Sequence, residues 1–245
     1  MRRLLPSPAG DLDDAGLVEA YRLPSGRSLR MDFVASLDGS IAVDGRSAGL
    51  GSPGDERVFR VLRALADVVL VGAGTAGTEG YRPVAPDSAV GRLREEIGRP
   101  VALPIAVVSR RASLDPSSAL VAAPSTLVVT CAAADAGRRA ALAEAGATVL
   151  VCGDDDVDLP AAVAALAERG LEQVTCEGGP QLLRAALTAG VVDELDLTIA
   201  PALVGSAQRL LPEDLPAPVE LELRQVLEED GVLFTRYRVA GRQQS

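Results

Sequence analysis

Histidine is missing from all 245 residues of this chain, and that absence removes more chemistry than any other feature of its composition. Without imidazole there is no Ser-His-Asp or Cys-His relay and no His-bound metal. Hydrolases built on those groups are excluded. Chemistry carried by a bound cofactor remains open, because there the protein mainly supplies position and electrostatics. Tryptophan is also absent, and three Tyr with three Phe leave no aromatic platform for stacking single-stranded bases. Basic residues are outnumbered, and the net charge of −10 argues against nucleic-acid binding, which depends on neutralising phosphates. Cys131, Cys152 and Cys176 are odd in number and far apart, which points to neither a disulfide framework nor a zinc site. No apolar run approaches the roughly 20 residues of a membrane span. The apolar stretch after Arg2-Arg3 is too short for a signal peptide. A cytoplasmic protein without membrane or metal is expected.

What is present is apolar material, 48% of the residues, enough for a sizeable core. The basic side chains are arginines, whose forked guanidinium suits local recognition of phosphate; a GC-rich genome would produce the same bias. Residues 1–28 are rich in Pro, Gly and Asp without a period, and are expected to be an arm. From Leu29 onward strands and helices alternate. LRMDFVAS reads as a strand ended by the turn Leu37-Asp38-Gly39, with SIAV returning. Ser52-Pro53-Gly54-Asp55 opens a helix with Ser at N-cap, Pro at the first helical position and an acid at N3. Val58, Val61, Leu62 and Leu65 give that helix one buried face. DVVLVG, LPIAVVS, TLVVT, ATVLVC, LEQVTCEGG and ELDLTIAP are further strands, with helices over 135–145, 160–169 and 180–187 between them. The end, ELELRQVLEEDGVLFTRYRVA, is two strands around Asp230-Gly231, a hairpin signal. The pattern predicts one α/β domain over 29–245: a mainly parallel sheet, flanking helices and a C-terminal antiparallel hairpin.

Three strand ends carry candidate chemistry. Gly72-Ala73-Gly74-Thr75-Ala76-Gly77 fits G-x-G-x-x-G, but the Rossmann fingerprint needs a long helix directly afterwards, and Gly80 and Pro83 would break one. The glycines either let a loop approach a phosphate or ribose, or form a plain tight turn. Glu177-Gly178-Gly179-Pro180 runs a strand into a helix start, either an anion site or an ordinary βα turn. Ser109-Arg110-Arg111 follows another strand. It would suit the 2′-phosphate that separates NADPH from NADH, although by itself it reads as a solvated basic loop. Together the three describe a dinucleotide lying across the carboxyl edge of a parallel sheet.

Val34-Ala35-Ser36-Leu37-Asp38-Gly39 with Ile41-Ala42 resembles the opening of the bacterial riboflavin-pathway pyrimidine reductases, the reductase half of the bifunctional deaminase-reductases. So do Arg63-Ala64-Leu65-Ala66-Asp67, Val71-Gly72 with Gly74-Thr75, Glu177-Gly178-Gly179-Pro180, and Val192-Asp193-Glu194-Leu195 with Leu203-Val204-Gly205. The resemblance runs in order over about residues 29–239 and is closest to an actinobacterial branch carrying Ser52-Pro53-Gly54-Asp55 and Glu79-Gly80-Tyr81. It implies a dihydrofolate-reductase-like fold, NADPH as hydride donor, a homodimer, and a pyrimidine bearing a ribosylamino 5-phosphate as small-molecule substrate. By position it implies cofactor contacts at Ala35, Gly49, Thr75, Ser109 and the segment Gly179 to Ala185, which includes Pro180, Gln181, Leu182 and Leu183; the strand-end motifs add Gly72, Gly74, Arg110 and Gly178. Ser47, Arg63 and Glu177 would face the substrate. Two departures stand out. Neither H-x-E nor P-C-x-x-C of the fused zinc deaminase is present, so any deaminase is expected elsewhere. Many relatives also carry Lys where this chain has Asp32.

Asp55 fits two roles, a helix cap after Ser52 and a carboxylate accepting from the N–H groups of a pyrimidine or pterin ring. No catalytic side chain is expected by name, since hydride transfer needs donor and acceptor carbons held in a near-attack pose more than it needs an acid or base. Reduction of a pterin, and a non-catalytic NADP-binding protein, are the competing functions. The polar loops 46–54 and 79–86 favour an enzyme, being long enough to shape a pocket.

Overall fold

The computed structural model describes residues 1–241, and it draws the first 28 of them into the sheet and core. Strands β1 (Arg2–Leu5) and β2 (Ala9–Asp11) pair antiparallel, and helix α1 (Asp14–Tyr21) follows, capped by Asp13, which accepts from Gly16 N at 2.8 Å. The expected arm is therefore corrected. Its Pro, Gly and Asp are the turn and the cap between elements too short to show a period. Leu17, Val18 and Tyr21 are buried in one cluster with Val58, Val61 and Leu62 of α2 (Pro53–Leu65).

The remaining elements are β3 (Ser28–Ser36), β4 (Val68–Gly72), α3 (Ala73–Thr78), α4 (Ala89–Glu96), β5 (Ile105–Val108), β6 (Thr126–Thr130) and α5 (Ala136–Glu144). They continue with β7 (Thr148–Val151), α6 (Leu159–Ala167), β8 (Gln173–Cys176), α7 (Pro180–Thr188), β9 (Glu194–Ala200), β10 (Leu221–Glu229) and β11 (Val232–Val239). SIAV forms no strand; Ser40 makes only an isolated bridge to Arg209. Helix α4 was not expected from the sequence.

The sheet order is β2-β1-β10-β11-β9-β3-β8-β4-β5-β6-β7. From β9 to β7 every neighbour is parallel, whereas β11, β10, β1 and β2 pair antiparallel. The continuous apolar run of β4 has a simple cause: it is covered on both faces. Val68 and Leu70 pack with Leu166, Leu182 and Leu183 from α6 and α7, while Val69 and Val71 pack with Leu103, Ile105 and Ala76. Each such side chain, fully buried, contributes about 1.5–3 kcal/mol. Among the described residues no helix is long and apolar enough to cross a membrane.

One buried guanidinium fixes the end of α2. Arg94 of α4 reaches the carbonyls of Arg63, Ala64 and Ala66, and its Nε lies 2.6 Å from that of Pro100. Those carbonyls are orphans of the helix terminus, and a charged donor satisfies them at once. This holds the last turn of α2, and with it Arg63, against the sheet.

Candidate active site

The carboxyl ends of β3, β4 and β8 open into a cleft of about 870 Å³. Its lining comes from β3 (Asp32, Phe33, Val34), from α2 (Asp55, Phe59, Arg63), from segments 45–48 and 78–82, and from Glu177, Gly179 and Pro180 after β8. The four residues expected to face a substrate, Ser47, Asp55, Arg63 and Glu177, all line this one space.

Two of them are already engaged with each other. Arg63 Nε and Nη2 each lie 2.7 Å from one Glu177 carboxylate oxygen, a fork-to-fork pair. Tyr81 donates its hydroxyl to the same carboxylate. The guanidinium also sits between two rings, 4.3 Å from the Phe59 centroid and 5.3 Å from that of Tyr81. Burial and the adjacent carboxylate push the Tyr81 hydroxyl well above its ordinary value, so it stays a donor. Arg63 and Glu177 are thus a neutral, self-satisfied wall of the cleft. Ser47 is similarly committed: its N and Oγ both contact Glu79 Oε1 at 3.1 Å, which ties the two polar loops together.

Asp55 resolves differently from a capping box. Ser52 Oγ accepts from Asp55 N at 3.1 Å, so half of the box forms. The Asp55 carboxyl instead turns to the sheet, where Thr198 of β9 hydrogen-bonds it, and burial raises its pKa. The cap is Ser52, and the Asp55 carboxyl is left for the cleft.

A glycine-rich strip lies alongside. Five helices, α1, α2, α4, α5 and α6, have a side-chain N-cap; α3 and α7 start at Gly72 and Gly179 and have none. Their first N–H groups are left for a ligand or water. The two starts are adjacent: Gly72 N donates to Gly178 O at 2.7 Å. No side chain fits between them, since a Cβ on Gly179 would stand 2.4 Å from Thr75 Oγ1. Gly178, at φ +90°, would also drive a Cβ to 3.1 Å from the Phe33 ring. Gly72 to Gly77 form the start of α3 and not the expected loop, yet the short helix ends where Gly80 and Pro83 require. The residues present therefore fit a phosphate-bearing cofactor.

Not every residue expected to contact it lines the cleft. Gly74, Thr75, Gly179 and Pro180 line the cleft, whereas Ala35, Gly49, Gly72, Gly178, Gln181, Leu182 and Leu183 do not. Leu182 and Leu183 belong to the core, so only their backbone can meet a cofactor. Ser109 is buried at the end of β5 with its Oγ accepting from Ser113 N at 3.1 Å. Arg110 points outward, its Nε 3.1 Å from Asp155 O and 3.8 Å from the Asp156 carboxylate. The pair is split, one group inward and one at the surface. Arg110→Ala is expected to weaken NADPH binding by about 1.5–3 kcal/mol and to leave NADH binding nearly unchanged. Calorimetric titration of both cofactors checks this; equal losses would remove Arg110 from the 2′-phosphate.

Sequence reading missed Phe59 and Tyr81, the two rings around Arg63. The signal was available in part, because Phe59 and Arg63 are four apart on one helix face. Tyr81 lies in a loop and had no such signal. The Leu37-Asp38-Gly39 motif proves to be a brace: the Asp38 carboxylate accepts from Val204 N at 3.1 Å and Gly205 N at 2.8 Å, joining two motifs far apart in sequence. Those bonds and the Ser36 hydroxyl hold its pKa far below the usual carboxylate range.

A mainly parallel sheet with an antiparallel edge, glycine-rich strand ends and one polar cleft beside them define an α/β reductase of the dihydrofolate-reductase-like class. Residues 27–232 match the RibD C-terminal domain model. The 2,5-diamino-6-ribosylamino-4(3H)-pyrimidinone 5′-phosphate reductase of Methanothermobacter thermautotrophicus is 30% identical over 86% of this chain and 97% of that protein. The riboflavin biosynthesis protein RibD of Bacillus amyloliquefaciens is 29% identical over 70% of this chain, which spans 44% of its length. A solved pyrimidine reductase-like protein from Corynebacterium diphtheriae is similar with a TM-score of 0.77 at 31% identity, covering 88% of this chain and 93% of that one. The chain belongs to the RibD C-terminal domain family, and it is an oxidoreductase.

Proposed function

We propose that the chain is an NADPH-dependent reductase acting on the ribosyl group of 5-amino-6-(5-phosphoribosylamino)uracil. The observation that carries this reading is the sharing of Gly74, Thr75, Gly179 and Pro180 between the glycine strip and the cleft that holds Asp55. A dinucleotide on the uncapped helix starts would end beside a ring held at Asp55. Bound NADPH would supply the hydride. The chain's own residues supply position: Asp55 accepts from ring N–H groups, and the Arg63–Glu177 wall closes one side. Arg82 lines the mouth, is exposed, and has no ion pair among the described residues, which leaves it for the 5-phosphate. A homodimer belongs to the same reading and is measured by sedimentation equilibrium.

The test is NADPH oxidation with the purified chain, with the ribosylaminopyrimidine 5-phosphate and dihydrofolate as competing acceptors. Turnover of dihydrofolate alone would replace this substrate with a pterin. Within that assay Asp55→Asn is expected to lower turnover about tenfold, equivalent to about 1.4 kcal/mol, which one charge-assisted hydrogen bond supplies. Its melting temperature should change little, because the helix cap is Ser52 and Asn retains an acceptor for Thr198. Unchanged kinetics would take ring recognition away from Asp55.

A further inference from the structure

The reduction just proposed consumes a proton as well as a hydride, and most polar groups in the cleft are in no position to give one. Tyr81 donates to Glu177, and both Glu177 oxygens are held by Arg63. Asp55 accepts from Thr198. Asp32 is different. It lies half-buried on β3, lines the cleft, and makes no hydrogen bond or ion pair among the described residues.

The cation nearest along the same strand face cannot neutralise it. Arg30, two residues before Asp32, is spent on Glu194 at 2.7 Å, on Asp196 at 2.9 Å and on the Tyr21 carbonyl at 2.8 Å. Arg236 of β11 takes the other Glu194 oxygen at 2.7 Å. Two arginines and two acids thus share one buried cluster, in which burial pushes the Asp196 carboxyl up to about 7, and Asp196 stands in register beside Asp32. The charged and titratable groups facing Asp32 are Asp55 from α2, Glu177 and Cys176 from the end of β8, Asp196 from β9, Arg30 on its own strand and Tyr21 from α1. Carboxyls dominate that set. Loss of water, then Asp55, Asp196 and Glu177, raise the Asp32 pKa well above the ordinary carboxylate value, with only Arg30 opposing.

We infer that Asp32 is a catalytic residue, the carboxylic acid that protonates the sugar's ring oxygen as the anomeric carbon is reduced. The step balances. Bound NADPH would supply the hydride for the new C–H bond at the anomeric carbon. The bond from that carbon to the ring oxygen breaks, and its electron pair stays on the oxygen. Asp32 gives its proton to that oxygen, leaving a carboxylate that solvent reprotonates. The ribosylamine gains two hydrogens and becomes a ribitylamine. This assignment rests on the functional reading above.

Two kinds of measurement on the full-length chain test it, equilibrium titration without substrate or cofactor and kinetics with them. The first is a pH titration of ¹³C-labelled aspartate carboxyls by NMR, with Asp32→Asn assigning the Asp32 signal. An Asp32 that titrates well above the ordinary carboxylate value is expected; a titration near that ordinary value of about 3.9 overturns the proposal whatever the substrate. Thermal melting reads the same shift as a change in stability. A carboxyl raised in the folded state gives stability fully present below its unfolded pKa and lost as pH rises through the folded one. Asp32→Asn should therefore melt higher than wild type on the alkaline side, whereas a merely structural carboxyl would make the variant melt lower. The second measurement is the pH profile of kcat. Wild-type kcat should fall as pH rises through the Asp32 pKa. Asp32→Asn should lose about tenfold or more in kcat at neutral pH and lack that limb. A variant that keeps wild-type kcat and profile overturns the donor role. Absence of any wild-type turnover on the pyrimidine would overturn the functional reading, and the proposed acceptor with it, while the NMR titration still reports on Asp32 separately.

Discussion

Arg63→Ala should destabilise the protein by about 3–5 kcal/mol, the cost of stranding one member of a buried ion pair. For a chain of this length that amounts to a fall in melting temperature on the order of 10 °C. The size follows from what is left behind. The side chain of Glu177 is 3% exposed and that of Arg63 is 17% exposed, so water cannot replace the guanidinium. Removing it leaves the Glu177 carboxylate with the Tyr81 hydroxyl as its side-chain partner, and opens the slot between the Phe59 and Tyr81 rings. Asp32, on the same cleft, would feel an unbalanced charge. A double-mutant cycle separates the terms: Arg63→Ala with Glu177→Gln should recover part of the loss, because the stranded charge is gone. Denaturant unfolding of the four proteins reads this out. A loss below about 1 kcal/mol for the single variant would class the pair with exposed surface bridges.

The parts of the fold that could be read in sequence share a property: their signal is local and long enough to repeat. The α2 start, the run of β4 and the Asp230-Gly231 hairpin each contain their own reason to form. The first 28 residues do not. Strand β1 exists because β10 offers it a partner 220 or more positions away, with Arg2 opposite Glu228. Helix α1 is stable because α2 covers it, and neither cause is visible within a short window. The same holds at the site. That Asp55, Arg63 and Glu177 share one cleft was legible through resemblance. That Arg63 is consumed by Glu177 was not, since the pair spans 114 residues. Asp32 illustrates the limit most clearly. In sequence it is a departure from a family pattern, with a substrate consequence left open. Only the engagement of Arg30 by Glu194 and Asp196 shows that the cation nearest along its strand is shared with two other carboxyls.

Gly74→Val should abolish cofactor binding in a protein that folds at least as well as the parent. A Cβ on Gly74 would meet nothing within 4 Å, so a side chain there starts into open space. Gly74 sits inside α3, where Val is the better helix former by a few tenths of a kcal/mol. Protein stability alone therefore gives no reason for glycine at this position. Under the proposed function the reason is a ligand lying against it, a phosphate-bearing one on the uncapped N–H groups of α3 beside Gly178 and Gly179. Val would push that ligand off the helix start by the width of a side chain. The expected loss is about a hundredfold or more in NADPH affinity, about 2.7 kcal/mol. Gly179→Ala makes the contrast: its Cβ would stand 2.4 Å from Thr75 Oγ1, so that variant should lose stability and binding together. Melting curves with and without NADPH separate the cases, because a ligand at a hundred times its Kd raises stability by about 2.7 kcal/mol. The Gly74→Val protein should show the parent's melting temperature without NADPH and no rise with it. If it binds NADPH within about threefold of the parent, α3 is only a turn after β4, and the cofactor lies elsewhere.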